Sequence, residues 1–310
     1  MKKTNPLLSI VIPVYNSENC IEKLVLCLKS ALKSLSHEII LVNDCSPDNS
    51  WNQILIAAKK NKNICGINLR KNSGQDNAIM AGLSFAKGNY IVIMDDDLQH
   101  SPSDIPRLLE TVEKGYDVCY ANFEEKHQAF WKNLGSWFNG KIAEYVIAKP
   151  RGIYLSPFKI IRKEVTESIL NYNGIYPYVD GLIFQVTANI TQIPAKHNTR
   201  FSGRGNYNLI RSIRVFLKLL TGFSIQPLRL SSYTGFITSV AGFLFGLYRI
   251  WCYFFQGEKV AGWTSLIVLI LFLGGLILMS LGLIGEYIGR IFLSINHKPS
   301  FVIKETINRK

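Results

Sequence analysis

Three consecutive aspartates, Asp95-Asp96-Asp97, follow directly on the apolar run Tyr90-Ile91-Val92-Ile93-Met94. Like charges this close repel unless a cation offsets them. Asp95 and Asp97 have Asp-x-Asp spacing, and alternate side chains of an extended segment point the same way. That pair suits a hard divalent cation, Mg²⁺ or Mn²⁺, held together with a diphosphate. The run ahead of them reads as a short buried strand opened by Gly88-Asn89. The carboxyl end of such a strand is where open α/β sheets bind ligands. A solvated acidic turn is the plain alternative; a cluster delivered by a buried strand favours the metal.

The elements that must position these residues alternate along the first 120 residues. Leu7–Val14 is an apolar strand ending at Pro13-Val14-Tyr15-Asn16, and Ser17–Ser34 has helical periodicity with Ser17 as an N-cap. Glu38–Val42 is a second strand, followed by the turn-rich segment Asn43–Ser50. Trp51–Lys60 is a helix, Ile64–Asn68 a strand and Asn77–Ala86 a helix. This alternation predicts an α/β domain with a mostly parallel, Rossmann-like sheet covered on both faces.

Charge is unevenly placed over the 310 residues. Residues 1–125 carry 13 Lys/Arg against 15 Asp/Glu, residues 126–229 carry 15 against 4, and residues 230–310 carry 7 against 3. A basic middle implies an anionic surface beside it, nucleic acid or phospholipid. The third part favours lipid. Thr264–Gly285 is 22 residues without a charge, about 33 Å as a helix and enough for a bilayer core. A second uncharged run, Leu230–Tyr248, lies before the short polar loop Gln256–Lys259. The two predict a membrane hairpin of helices at 230–254 and 264–290, with 293–310 as a polar cytoplasmic tail. Two middle segments, Ala129–Ala148 and Asn208–Gly222, interleave aromatic and aliphatic bulk with Lys/Arg, as interfacial helices do. The chain starts straight into a strand-like segment with no signal peptide, and basic residues flank the hairpin on both sides. The expected localisation is therefore a cell inner (plasma) membrane, multi-pass, with the amino-terminal domain in the cytoplasm. The six cysteines have no Cys-x-x-Cys pair or ligand spacing and read as reduced thiols.

SIVIPVYNSE (9–18), LVNDCSPDNS (41–50), LRKNSGQDNAIMAGL (69–83) and YIVIMDDDLQHSP (90–102) resemble the successive signatures of family 2 glycosyltransferases with a GT-A fold. The DDDLQHSP form, RFSGRGNY (200–207) and the two carboxy-terminal helices narrow the likeness. They resemble the polyisoprenyl-phosphate glycosyltransferases, which include dolichyl-phosphate mannose synthases and the undecaprenyl-phosphate glucosyltransferases of the GtrB type. The resemblance implies a nucleotide-sugar-binding part at 1–125 and an acceptor-binding part at 126–229.

It also implies roles. Pro13, Tyr15 and Asn16 border the nucleobase and ribose, Glu18 lies near the ribose hydroxyls, and Asp44 bonds the base edge. Members of the family often carry two aspartates where this chain has Asn43-Asp44. Asp95 and Asp96 approach the ribose or sugar, while Asp97, with Asp95 and Gln99, holds the cation that takes up charge on the leaving nucleoside diphosphate. Arg200 and Arg204, with Ser202 and Lys159, are expected to hold the acceptor phosphate. Some members carry Gly-Asp-Phe-Arg where this chain has Ser156-Pro157-Phe158-Lys159, so an aspartate proposed there as base has no counterpart. Asp180 is either a catalytic base or a structural residue at a helix start, and His100 reads as packing.

The expectation is an inverting, metal-dependent glycosyltransferase acting on a UDP-sugar, glucose foremost, and undecaprenyl phosphate, assembled as a homo-oligomer. GDP-mannose and UDP-linked N-acetylglucosamine, galactose or modified arabinose stay open as donors. A processive polysaccharide synthase would carry a Gln-x-x-Arg-Trp motif and more membrane spans than the two read here. A non-catalytic membrane adaptor would not need Asp95, Asp97 and Gln99, and no nucleic-acid-binding motif appears.

Overall fold

The computed structural model describes residues 5–123, 149–150, 152–172, 174, 177–195, 226–256, 262–296 and 299–309. They divide into two compact units, one within 1–207 together with 297–310, the other within 208–296. Arg200, Ser202, Arg204 and both expected interfacial segments lie outside the described residues.

In the first unit, strand β1 (Leu8–Val14) is buried at every position. It therefore needs cover on both faces, the usual state of a central parallel strand. It pairs in parallel with β2 (His37–Asn43) on one side and β4 (Tyr90–Ile93) on the other, and β2 pairs in parallel with β3 (Ile64–Leu69). Helices α1 (Ile21–Ala31), α2 (Ser50–Lys60), α3 (Gln75–Leu83) and α4 (Ile105–Glu113) make the crossovers. Helix α1 starts after Cys20 without a side-chain cap, so Ser17 is not its N-cap.

The sheet continues through β5 (Val118–Phe123), β6 (Lys159–Arg162), α5 (Lys163–Leu170), α6 (Val179–Val186) and β7 (Ile190–Ala195). A last strand, β8 (Ile303–Ile307), pairs antiparallel with β3. The eight strands lie in the order β7-β5-β6-β4-β1-β2-β3-β8, with β6 also antiparallel to its neighbours β4 and β5. The mostly parallel sheet is as expected; the strand in the carboxy-terminal segment is not. Its short, charged sequence Ile-Lys-Glu-Thr-Ile hides it from periodicity. The main core lies on the α1, α2 and α4 face, around Ile10, Ile12, Leu24, Leu28, Val92, Leu108 and Phe158. On the other face α3 packs tightly enough that a Cβ at Gly82 would stand 2.4 Å from Val11 Cγ1, so only glycine fits there. None of the six cysteines forms a disulfide, and burial pushes the Cys119 thiol up to about 12.

The described residues of the second unit form two long helices, α7 (Gln226–Gln256) and α8 (Trp263–Ile295). Pro227–Tyr248 and Phe272–Ile295 are long and apolar enough to cross a membrane by length and composition. Phe243, Phe254 and Leu278 face outward, a costly arrangement in water and an ordinary one in lipid. Between the helices the Ser231 and Ser280 hydroxyls meet at 2.7 Å, the kind of polar link that joins helices in apolar surroundings.

Candidate active site

The strand order reverses between β4 and β1, and crevices at such switch points are where doubly wound sheets bind ligands. Pairing of β1 with β4 ends at Val11–Ile93, followed by a last bond from the Met94 amide to the Val11 carbonyl at 3.3 Å. The next ladder position on that side of β1 falls on Pro13, which has no N–H to give. The strands part there. Asp95, Asp96 and Asp97, all half-buried, occupy the carboxyl side of the parting.

Each aspartate is held differently. Asp95 Oδ1 accepts from Gln75 Nε2 at 2.8 Å, in the first turn of α3, and the Asp95 amide donates to His100 Nδ1 at 3.3 Å. Asp96 turns the other way, and its Oδ2 accepts from the Tyr15 amide at 3.2 Å. Crowding by protein pushes the Asp96 carboxyl up to about 6; hydrogen bonds from Ser17 and the Tyr15 amide oppose that rise, and the charge of Asp97 adds to it. Asp97 Oδ1 accepts from the Gln99 amide at 3.1 Å across a turn whose Leu98 has φ 62°. His100, 3% exposed, stacks between Phe123 and Phe158 with both ring centroids at 5.4 Å. The packing reading of His100 thus gains a second function, because the clamped ring supports the main chain of Asp95.

The donor set is right for a hard cation: two half-buried carboxylates and a neutral amide, all oxygen. Among the described residues no three or more His, Cys, Asp or Glu side chains are grouped to enclose a metal. A cation here would take its other oxygens from a diphosphate and water, as Mg²⁺ commonly does.

The loops after β1 and β2 are stitched together at this rim. The Asn16 amide donates to Ser46 Oγ (3.2 Å), the Ser17 amide to Ser50 Oγ (2.9 Å) and the Glu18 amide to Asp48 Oδ2 (3.0 Å). Glu18 Oε2 returns the contact by accepting from the Asn49 amide at 2.9 Å. Asp44, 4% exposed, accepts from the Ser73 and Gly74 amides at 2.7 and 2.9 Å, which clamps the loop that starts α3. Tyr15 and Asn16 are exposed, and Asn16 holds φ 57°, a left-handed conformation that asparagine tolerates better than most residues. Pro13 is buried within β1, under the rim.

A separate charged cluster lies on the α3 face. Lys159, 3% exposed, is ion-paired with Asp180 Oδ1, which also accepts from the Tyr120 hydroxyl at 2.8 Å. The lysine ammonium sits 5.1 Å from the Tyr120 ring centroid. Nearby, Asp76 Oδ1 accepts from the Val179 amide at 3.2 Å and so ties the start of α3 to the start of α6. Burial pushes Asp76 up to about 6, the Val179 amide opposing and the charge of Asp180 adding to the rise. Burial, then Asp180, raises Tyr120 well above its ordinary range. Lys159 and Asp180, read from the sequence as separate functional groups, hold one another. Gln75 and Asp76 were missed, although the QDN run opening an apolar helical pattern beside Gly74 was the signal available.

Comparison with known proteins places this geometry. The Glycosyl transferase family 2 model matches residues 9–170 and the GtrB C-terminal hairpin model matches residues 226–291. The chain belongs to glycosyl transferase family 2. An undecaprenyl-phosphate 4-deoxy-4-formamido-L-arabinose transferase from Serratia proteamaculans is 30% identical, with 100% of this chain and 97% of that relative covered. An uncharacterized glycosyltransferase from Synechocystis is 32% identical over 96% of this chain and 95% of its own length. Among solved structures, glucosyl-3-phosphoglycerate synthase from Mycobacterium tuberculosis, in complex with Mn²⁺, UDP and phosphoglyceric acid, superposes with a TM-score of 0.54. That match has 16% identity and covers 70% of this chain and 76% of that one, so it establishes a shared fold. The glycosyltransferase is thus an enzyme whose family motifs run from β1 to the Asp95–Asp97 turn, followed by two apolar helices.

Proposed function

We propose that this glycosyltransferase moves a sugar from a UDP-sugar to undecaprenyl phosphate, with inversion at the anomeric carbon, for modification of cell-envelope glycan. The observation that carries the reading is the parting of β1 from β4 at Pro13, with Asp95 and Asp97 on its carboxyl side. The acceptor comes from the undecaprenyl phosphate named in the relatives and from the two apolar helices.

Asp97, Asp95 and Gln99 would hold Mg²⁺ or Mn²⁺, which when bound supplies Lewis-acid charge to the leaving diphosphate. Tyr15, Asn16 and Glu18, over buried Pro13, form the nucleotide side. Asp44 shapes that side through the Ser73–Gly74 loop, and Asp96 fixes Tyr15. Arg200, Ser202 and Arg204 receive the acceptor phosphate. A phosphate could reach Lys159 only by displacing Asp180, so we assign these two to each other's support. The acceptor needs no strong base, since a phosphate monoester with a second pKa of about 6 is largely ionised at neutral pH. Positioning and charge neutralisation then dominate the catalysis.

Both flanks of the hairpin connect to the sheet unit, because β8 follows α8 in the chain and pairs with β3. An even number of spans returns the chain to the side of the membrane it left, so we assign both flanks of the hairpin to the cytoplasmic face of the inner membrane, in a homo-oligomer.

The sugar is the finer question. Glucose is the sequence expectation, and 4-deoxy-4-formamido-L-arabinose is the sugar named in several relatives. A transfer assay in detergent, with undecaprenyl phosphate, Mg²⁺ or Mn²⁺ and a panel of labelled nucleotide sugars, tests both levels. An EDTA-sensitive, mild-acid-labile product in the organic phase, formed from one donor, names that donor. No lipid product from any donor, with nucleotide sugar still bound, overturns the lipid-phosphate acceptor.

A further inference from the structure

The carboxy-terminal strand is wired to the rim. Glu305 on β8 accepts through Oε1 from Asn68 Nδ2 at 2.9 Å, and Asn68 Oδ1 accepts from Asn43 Nδ2 at 2.8 Å. Asn43 Oδ1 accepts from the Ser46 hydroxyl at 2.6 Å, and Ser46 Oγ accepts from the Asn16 amide at 3.2 Å. Four bonds thus run from β8 across β3 and β2 to the loop after β1. We infer that this chain holds the nucleotide loop in place, with Glu305 as a positioning residue 289 positions from Asn16 in sequence.

Polarity makes the chain specific. A main-chain N–H can only donate and a carboxylate can only accept. The Ser46 hydroxyl could turn either way, but the Ser46 amide also donates to Asn43 Oδ1, at 3.4 Å, so this amide at one end and the Glu305 carboxylate at the other fix which way each side-chain amide between them points. Asn43 and Asn68 are 2% and 6% exposed, so water has little access to replace a lost partner, and a mismatched amide leaves buried polar atoms unpaired.

An aspartate at position 43 accepts on both sides. Asn68 must then turn its Nδ2 toward position 43, which sets its Oδ1 against the Glu305 carboxylate, acceptor against acceptor. A lysine at 305 would donate to the turned amide and repair the chain. In the native background the same lysine is the wrong group, because it meets the Asn68 Nδ2 donor. Asn43 and Glu305 are thus matched as a pair, although they lie on β2 and β8, two strands apart in the sheet.

The positional role rests on the nucleotide reading of the Tyr15–Asn16 loop, while the chain itself can be tested without it. Asn43→Asp, Glu305→Lys and the double variant would be compared in the full-length protein. One readout is hydrogen exchange of a peptide covering residues 15–20, the other calorimetric affinity for UDP with Mn²⁺. Each single variant is expected to speed exchange and weaken UDP binding by about tenfold, the scale of one part-buried charge-assisted hydrogen bond. The double variant should return both to within about threefold of the native protein. Additive damage in the double variant, or native-like exchange in both singles, overturns the chain. If exchange follows the pattern while UDP affinity stays constant, the positioning role falls. No UDP binding by the unmodified protein overturns the nucleotide reading and leaves exchange to decide the chain. Should Asn43→Asp not fold, Glu305→Lys at the exposed sheet edge carries the test: native exchange in that variant overturns the inference.

Discussion

On the β1–β2 side of the rim, the carboxylates of Glu18, Asp44, Asp48 and Asp96 accept from main-chain amides. Across β4, Lys159 and Asp180 meet each other and Tyr120, side chain to side chain. An amide cannot change its charge or swing away, so the first arrangement fixes loops in space. The second buries net opposite charges, and either partner left alone is a liability. One flank therefore holds the loops that we propose bind the nucleotide, while the other braces the packing of α3 and α6 against the sheet.

The largest effect expected from this contrast is on turnover. Asp97→Ala removes the charged oxygen we propose as a metal ligand, and transfer should fall by about a thousandfold or more with little change in melting temperature. A variant that retains transfer would return the aspartates to scaffolding. Next in size is a loss of stability across β4. Asp180→Ala leaves Lys159 buried without its counter-ion and should cost about 3–5 kcal/mol, read by chemical denaturation in detergent. Replacing Lys159 and Asp180 together by Met and Leu should recover most of that loss. If Asp180→Ala instead melts normally and loses turnover, the pair is catalytic and the contrast fails.

The smallest effect is on pH dependence. The folded-state pKa of Asp76, about 6, stands above the ordinary value of 3.8. The folded protein therefore binds this proton more tightly than the unfolded chain does. Its contribution is fully present below about pH 4 and is lost as pH rises through about 6. Asp76→Asn should flatten the decline in melting temperature between about pH 4 and 6, since the amide can still accept from Val179 without charging. An unchanged slope would show that Asp96, shifted in the same direction, dominates.

The sequence made the amino-terminal half legible because its information is local. Buried strands such as Ile10–Val14 announce themselves by β-branched runs, and Asp95–Asp97 follows one directly. The stitching of Glu18 to Asp48 is written in two turn-rich segments whose residue types favour it. What escaped is long-range. The pairing of Lys159 with Asp180 depends on antiparallel β6 entering beside β4, which no periodicity signals. Asn43 read as a departure from an aspartate pair, and its meaning emerges only with Asn68 and Glu305 beside it. β8 is five residues in a polar segment, made a strand by the open edge of β3.

That last strand has a consequence for how the protein is made. The ribosome delivers β1 through β7 first, then both apolar helices, and only afterwards Ile303–Ile307. Until then β3 presents a row of unsatisfied main-chain groups on a hydrophobic strand, the kind of edge that recruits other chains. The sheet unit is thus completed by residues synthesised after the two apolar helices. A version cut before the hairpin to gain solubility would keep Asp95, Asp96 and Asp97 and forfeit the strand that protects the sheet from aggregation.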